Sequence, residues 1–200
     1  MLPRRSAIFL GLAGVLLAGI GVFGWDGSKW WRVRVDQNSQ SVVSIQEVHH
    51  HIHDGDHYFV GGYDSLDNGD TTEFVIDTPA TGEVHMEFAY SSNKAYTLEL
   101  WEGATYTGGT SVDPVNSNRQ SANTAALSVK KNPTTVDTSG ATKLLEIAIG
   151  TGGRFASATE VADSRENEMV LKQSETYYYK ITSNEAGATL TYLGSWYEIE

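Results

Sequence analysis

The chain has 200 residues, no cysteine and a formal net charge of −11, which suits one domain plus an appendage and a core that needs no covalent staples. Without thiols, disulfides and thiolate metal sites are excluded. The charge is uneven: residues 1–34 hold five basic side chains and one acidic one, leaving −15 on residues 35–200, and so acidic a domain repels the phosphates of DNA and RNA.

Residues 7–25 form an uncharged apolar leader preceded by Arg4-Arg5. As a helix, 19 residues would cross roughly 28 Å, close to the thickness of a bilayer core. Gly11, Gly14, Ala18 and Gly21 would supply a close-packing face between helices. The leader therefore reads as a membrane anchor or an uncleaved signal, since Val22-Phe23-Gly24-Trp25 lacks the small-x-small exit that cleavage prefers. A leader without a membrane role is the alternative. Residues 26–40 form a hairpin and linker lead-in: Asp26-Gly27-Ser28-Lys29 turns the chain, and Trp30 to Asp36 alternates as a strand, with Trp31, Val33 and Val35 on one face.

Residues 41–200 follow as the main domain. The stretch Val48-His49-His50-His51-Ile52-His53-Asp54-Gly55-Asp56-His57 is expected to form two strands joined at Asp54-Gly55, because Asp-Gly takes positive φ cheaply. On such a strand His49, His51 and His53 share one face. Short strands then succeed one another: 58–63, 71–76 after the turn Asp67-Asn68-Gly69-Asp70, 83–90 with Val84, Met86 and Phe88 on one face, and 96–101 with Tyr96, Leu98 and Leu100 on one face. Residues 102–125 read as a loop, and strands resume over 127–130, 143–149, 169–171, 176–181 and 188–197. In Tyr177-Tyr178-Tyr179, Tyr178 faces away from its neighbours and is expected at or near the surface. No segment after residue 40 sustains an apolar 3.6-residue repeat, so the fold class is all-β: an antiparallel β-sandwich, jelly-roll-like, preceded by the apolar N-terminal segment.

Three kinds of chemistry bear on function. His49, His51 and His53 are candidate metal ligands, since imidazole suits zinc and nickel. Same-face strand neighbours lie about 6.5–7 Å apart, so a site would also need His57 or His85 from an adjacent strand. Cross-strand hydrogen bonding, solvent exposure or a pH-sensitive contact accounts for the same residues, and the expectation is no metal and no cofactor. On that view a chelator leaves the melting temperature unmoved, Gly55→Val is damaging, and His51→Ala costs under about 1 kcal/mol if the ring is solvated. Glu83, Glu87 and Glu99 alternate as glycosidase carboxylates could, but so do carboxylates on any sheet facing water. No nucleophile elbow, P-loop or dinucleotide fingerprint is present, and no catalytic residue is expected.

The order and spacing of certain motifs resemble a family of tailed-bacteriophage virion structural proteins. The residues are His49-His50-x-Ile52-His53-x-Gly55, Thr78-Pro79, His85 and Asn116-Ser117-Asn118-Arg119-x-Ser121. They continue with Gly150-Thr151-Gly152, Glu168-Met169-Val170-Leu171-Lys172, Thr176-Tyr177 and Trp196-Tyr197-Glu198. Asp26-Gly27-x-x-Trp30 with Arg34-Val35-Asp36 is similar to a lead-in on many phage structural proteins. His51 departs from the pattern, where an acidic residue is expected, and so does the apolar leader. The resemblance implies a non-enzymatic, capsid-associated or decoration-type protein located in the virion, with other virion proteins and its own copies as partners. The competing class is a membrane-tethered or exported β-sandwich binding module, for example for carbohydrate, with residues 1–25 as its anchor.

Overall fold

The computed structural model describes residues 22–25, 30–33, 47–150 and 168–199. Most of the apolar leader, the linker before residue 47 and the Thr151-Gly152 part of the glycine motif lie outside the described residues. The chain divides into two compact units, Met1–Ile45 and Gln46–Glu200. In the first, β1 (Val22–Trp25) pairs antiparallel with β2 (Trp30–Val33), Trp25 opposite Trp30. The last four residues of the apolar run are therefore strand and not the end of a helix. Among the described residues no helix is long and apolar enough to cross a membrane.

The second unit opens with a helix, α1 (Glu47–Asp54). Among the described residues eleven strands follow in two main sheets, with a small two-stranded sheet beside them. In chain order they are β3 (His57–Leu66), β4 (Thr71–Asp77), β5 (Glu83–Ser92), β6 (Tyr96–Glu102), β7 (Thr105–Thr107), β8 (Thr110–Val112), β9 (Val115–Asn116), β10 (Ser128–Lys131), β11 (Thr135–Asp137), β12 (Thr142–Ile149), β13 (Met169–Leu171), β14 (Thr176–Ser183) and β15 (Ala188–Ile199), of which β7 and β11 form the small sheet. One sheet runs β12-β6-β14-β4-β10-β8 and the other β13-β5-β15-β3-β9, while β7 and β11 pair with each other. All pairings are antiparallel. The all-β antiparallel sandwich expected from the alternating pattern is the architecture of this unit.

Alternation explains the core. Val84 and Met86 on β5, Tyr96, Leu98 and Leu100 on β6, and Leu190, Tyr192 and Trp196 on β15 all point into the space between the sheets and are buried. Phe74 sits at its centre, with ring centroids 5.4 Å from Phe88 and 4.7 Å from Tyr192, distances at which edge and tilted aromatic pairs attract. Gly194 on β15 leaves room for Phe88, since a Cβ there would meet the ring at 2.9 Å. A polar bridge joins the two sheets. Lys131 Nζ lies 2.6 Å from Asp64 and 3.1 Å from the Tyr192 hydroxyl, and Thr72 donates to the other oxygen of Asp64 at 2.7 Å.

Two expectations are corrected. Residues 102–125 are not a plain loop, because β7, β8 and β9 lie within them; strands of two or three residues rich in Thr and Ser are too short to show a period. Tyr178 is not at the surface. It faces away from the main core but is buried in a second cluster with Val75 and Ala104, covered by Trp101, Tyr106, Val136 and Ala141. The small β7–β11 sheet, whose β11 was not expected, supplies Tyr106 and Val136 to this outer cover.

Phe74→Ala, which empties a fully buried aromatic position, is expected to cost about 3–5 kcal/mol. Urea unfolding should show the midpoint falling while the slope stays constant. Tyr63→Ala, at a side chain that is 71% exposed, should move the midpoint by less than about 0.5 kcal/mol.

Candidate functional site

The histidine stretch is a helix, and this corrects the expected hairpin. Gly55 carries the positive φ that Asp54-Gly55 suggested, at +84°, but it stops α1 instead of turning a hairpin. The Asp56 N–H donates to the carbonyl of His51 at 3.0 Å and the Gly55 N–H to that of Ile52 at 3.2 Å, the two bonds of a Schellman cap. A glycine in the left-handed region serves both motifs, so the dipeptide alone does not distinguish them. The window is also too short for the apolar period to decide. Propensity does not hold this helix together, since His is a middling helix former; contacts to the sheet and to a loop do.

On a helix, residues two apart point about 200° apart. His51 therefore turns toward the sheet while His49 and His53 turn to solvent, and the shared face expected for the three does not exist. His51 stacks on Tyr197 with centroids 4.4 Å apart and planes 10° from parallel. Tyr197 also stacks on its cross-strand partner His85 at 4.6 Å. His57 on β3 is the other register partner of Tyr197, so His57, Tyr197 and His85 form one row across the outer face of the five-stranded sheet, with α1 over it. All six histidines of the chain gather at this end of the sandwich. His50 makes its own pair with Asp54 at 2.9 Å.

A loop clamps the helix end. The Asn116 side chain, buried, donates from Nδ2 to the carbonyls of Gly55 at 2.7 Å and Asn123 at 3.2 Å, while its Oδ1 accepts from the Asn118 N–H at 2.8 Å. Asn118 Nδ2 donates to the carbonyl of His53 at 3.0 Å. Ser117 shares a 2.6 Å hydrogen bond with His57 Nδ1. The loop itself is held by Glu198, whose carboxylate accepts from the N–H groups of Ala126 and Leu127 and from the indole of Trp196, at 2.8–3.1 Å. Opposite, Glu168 contacts His85 Nδ1 and accepts from the Tyr197 hydroxyl at 2.7 Å; Glu83 lies 3.5 Å from His85 Nε2. Next to this, Thr78 donates to the carbonyl of Lys172, and the Tyr177 hydroxyl donates to Glu102 and accepts from the Lys172 N–H. Burial, with the Glu102 carboxylate beside it, pushes the Tyr177 phenol up to about 12.

His49 to Gly55, Thr78, His85, Asn116 to Ser121, Glu168 to Lys172, Thr176-Tyr177 and Trp196 to Glu198 thus converge, from distant points of the chain, on one end of the sandwich, whereas Gly150 follows the far end of β12. Their side chains are used on one another as caps, clamps and stacks. These tasks are not legible in the sequence; Glu198 and Glu168, which organise the end, carry no local signal beyond their place in the motifs. Glu83, Glu87 and Glu99 do not form a facing carboxylate pair, since Glu99 lies on the other sheet and accepts from Lys143 at 2.6 Å. Among the described residues no three ligating side chains converge on one metal position.

The fold and this end define an antiparallel β-sandwich protein with a histidine-bearing helix pinned over the outer face of one sheet. Comparison with protein-family models, with curated proteins and with solved structures found no match.

Two outcomes follow. Gly55→Val places a β-branched residue at φ +84°, costing about 1–3 kcal/mol in strain, and its Cβ would fall 2.3 Å from Ser121 Oγ; thermal unfolding should show it as the most damaging change in residues 48–57. His51→Ala should cost about 0.5–1.5 kcal/mol or more for the lost stacking, because the ring is packed on Tyr197 and not solvated. Separately, burial and then the neighbouring His51 hold the pKa of His57 below the ordinary histidine value of 6.5. The unfolded chain then binds the proton more readily, so stability should fall as pH drops through about 6.5 toward the lower folded value. His57→Gln should flatten that slope in a melting-temperature series from pH 7.5 to 5.

Proposed function

We propose that this chain is a bacteriophage virion structural protein, capsid-associated or decorating the shell, that works by assembly and not by catalysis. The observation that carries this reading is the outer edge of β12. Three of the four outer strands of the two main sheets are blunted by shortness: β8 and β13 have three residues and β9 has two. The fourth, β12, has eight and reads Thr-Lys-Leu-Leu-Glu-Ile-Ala-Ile. Among the described residues nothing pairs with its outer side. Proteins that stay apart blunt such edges with charge, proline or brevity. In β12, Lys143 and Glu146 instead neutralise each other at 2.6 Å.

Its side chains point the same way. Leu145 lies opposite Leu100 and Ile147 opposite Leu98, so both continue the inward-facing apolar row. Yet they are 39% and 40% exposed, and Leu144 is 41% exposed. A partner strand added here continues the sheet and covers the row. A copy related by a two-fold axis perpendicular to the sheet presents the same face and joins its own Leu145 and Ile147 to it. The framework role of the polar residues at the histidine end supports the same reading, because groups occupied as caps and clamps are not free for chemistry. The connections β3–β4, β4–β5, β5–β6 and β14–β15 all pass between sheets, which supports the jelly-roll-like arrangement common in shell proteins.

Sedimentation of the full chain at micromolar concentration, alone and with cognate capsids, tests this. Self-association or co-sedimentation is expected, and Leu145→Lys with Ile147→Lys should abolish the self-association while leaving stability within about 0.5 kcal/mol. A strict monomer that never co-sediments with capsids refutes the proposal.

A further inference from the structure

The change from strand to helix brings two ligands together that a strand would hold apart. His49 and His53 are four residues apart on the solvent face of α1, and their Nε2 atoms are 3.0 Å from each other. Their ring centroids are 4.6 Å apart, with the planes at 80°. Both side chains are exposed, so an ion reaches them without opening the fold.

The separation is short enough for both nitrogens to reach one ion. Imidazole nitrogen binds a divalent metal at about 2.0–2.1 Å. Two nitrogens 3.0 Å apart on bonds of that length subtend about 91–97° at the metal. That is the angle between adjacent positions of a square-planar or octahedral ion, whereas a tetrahedral ion needs about 109° and wider-set ligands. Imidazole ligands in tetragonal geometry favour Cu(II) or Ni(II), and Cu(II) heads the order of affinities for divalent ions of the first transition row. We infer that His49 and His53 form a bidentate surface chelate for a divalent transition-metal ion of the copper–nickel class, with water in the remaining positions.

Three features prepare the pair. The helix is fixed before metal arrives, by the His51–Tyr197 stack, the Gly55 cap and the Asn118 clamp on the carbonyl of His53, so little backbone order is lost on binding. His53 lies in the last turn of α1, where the helix dipole favours positive charge. The unit also carries a net negative charge, which attracts cations. Without metal, two neutral rings at this distance are compatible only when one Nε2 is protonated and the other is not; a metal ion accepts both lone pairs. The site is independent of the assembly reading and stands or falls apart from it.

Calorimetric titration of the full, chelator-treated chain with Ni²⁺ at pH 7.5 tests it, with melting temperature as a second readout. One ion per chain is expected, with a melting temperature that rises with Ni²⁺ and returns on adding chelator; at a free ion concentration one hundred times Kd the folding equilibrium shifts about a hundredfold. His49→Gln and His53→Gln should each lower the affinity by at least tenfold while keeping the metal-free melting temperature, and His50→Gln should bind as the parent does. Binding should vanish as pH falls below the histidine range, because protonated imidazole is no ligand. Ni²⁺ binding of equal affinity in the double variant, or no binding by the parent chain, overturns the inference.

Discussion

The last strand imposes the constraint on which the rest of this fold depends. β15 is twelve residues long, pairs with β3 on one side and β5 on the other, and must therefore alternate without interruption. Trp196, Tyr197 and Glu198 stand next to one another near its end, so period two puts Trp196 and Glu198 on one face and Tyr197 on the other. Trp196 enters the core. Tyr197 turns outward, where His51 and His85 stack on it. The Glu198 carboxylate takes three N–H groups and ties down the loop that in turn clamps α1. A slip of one residue in this strand would exchange the first two roles and release the third. Core, helix and loop are thus fixed by one register.

Strands such as β5, β6 and β15 were legible because a buried face alternates with a wetter one. Val84, Met86, Leu98 and Leu100 announced their sheets before any contact was known, and the strand expected over 169–171 coincides with β13 residue for residue. The histidine stretch was not legible in the same way. Its six central residues contain one aliphatic side chain, Ile52, so neither a two-residue nor a 3.6-residue period can be seen. Gly55 gave a true signal of positive φ that two different motifs would produce. What decides for the helix lies more than 60 residues away, in Asn116 and Asn118, whose amides take the carbonyls that a strand would have given to a neighbour.

Tyr178 shows a different limit. Sequence alternation said correctly that it faces away from Tyr177 and Tyr179, and from that the surface was expected. An outward direction is not the same as exposure when a second, minor layer covers the sheet. The cover comes from β7 and β11, three residues each, too brief to leave a pattern. Tyr106 and Val136 are ordinary residues in turn-rich sequence, and only the pairing of β7 with β11 makes them a roof over Val75, Ala104 and Tyr178.

The unequal edges of the sandwich bear on stoichiometry. A protein with two long sticky edges grows end to end, each addition exposing another site. Here three edges are short, and the one that is long would, in the proposed assembly, be consumed by an identical edge. Pairing of that kind terminates itself: two sandwiches close into a symmetric unit with no free strand left over, and nothing propagates. Such a unit delivers two copies of the histidine-bearing end, related by the same axis, to whatever surface it occupies.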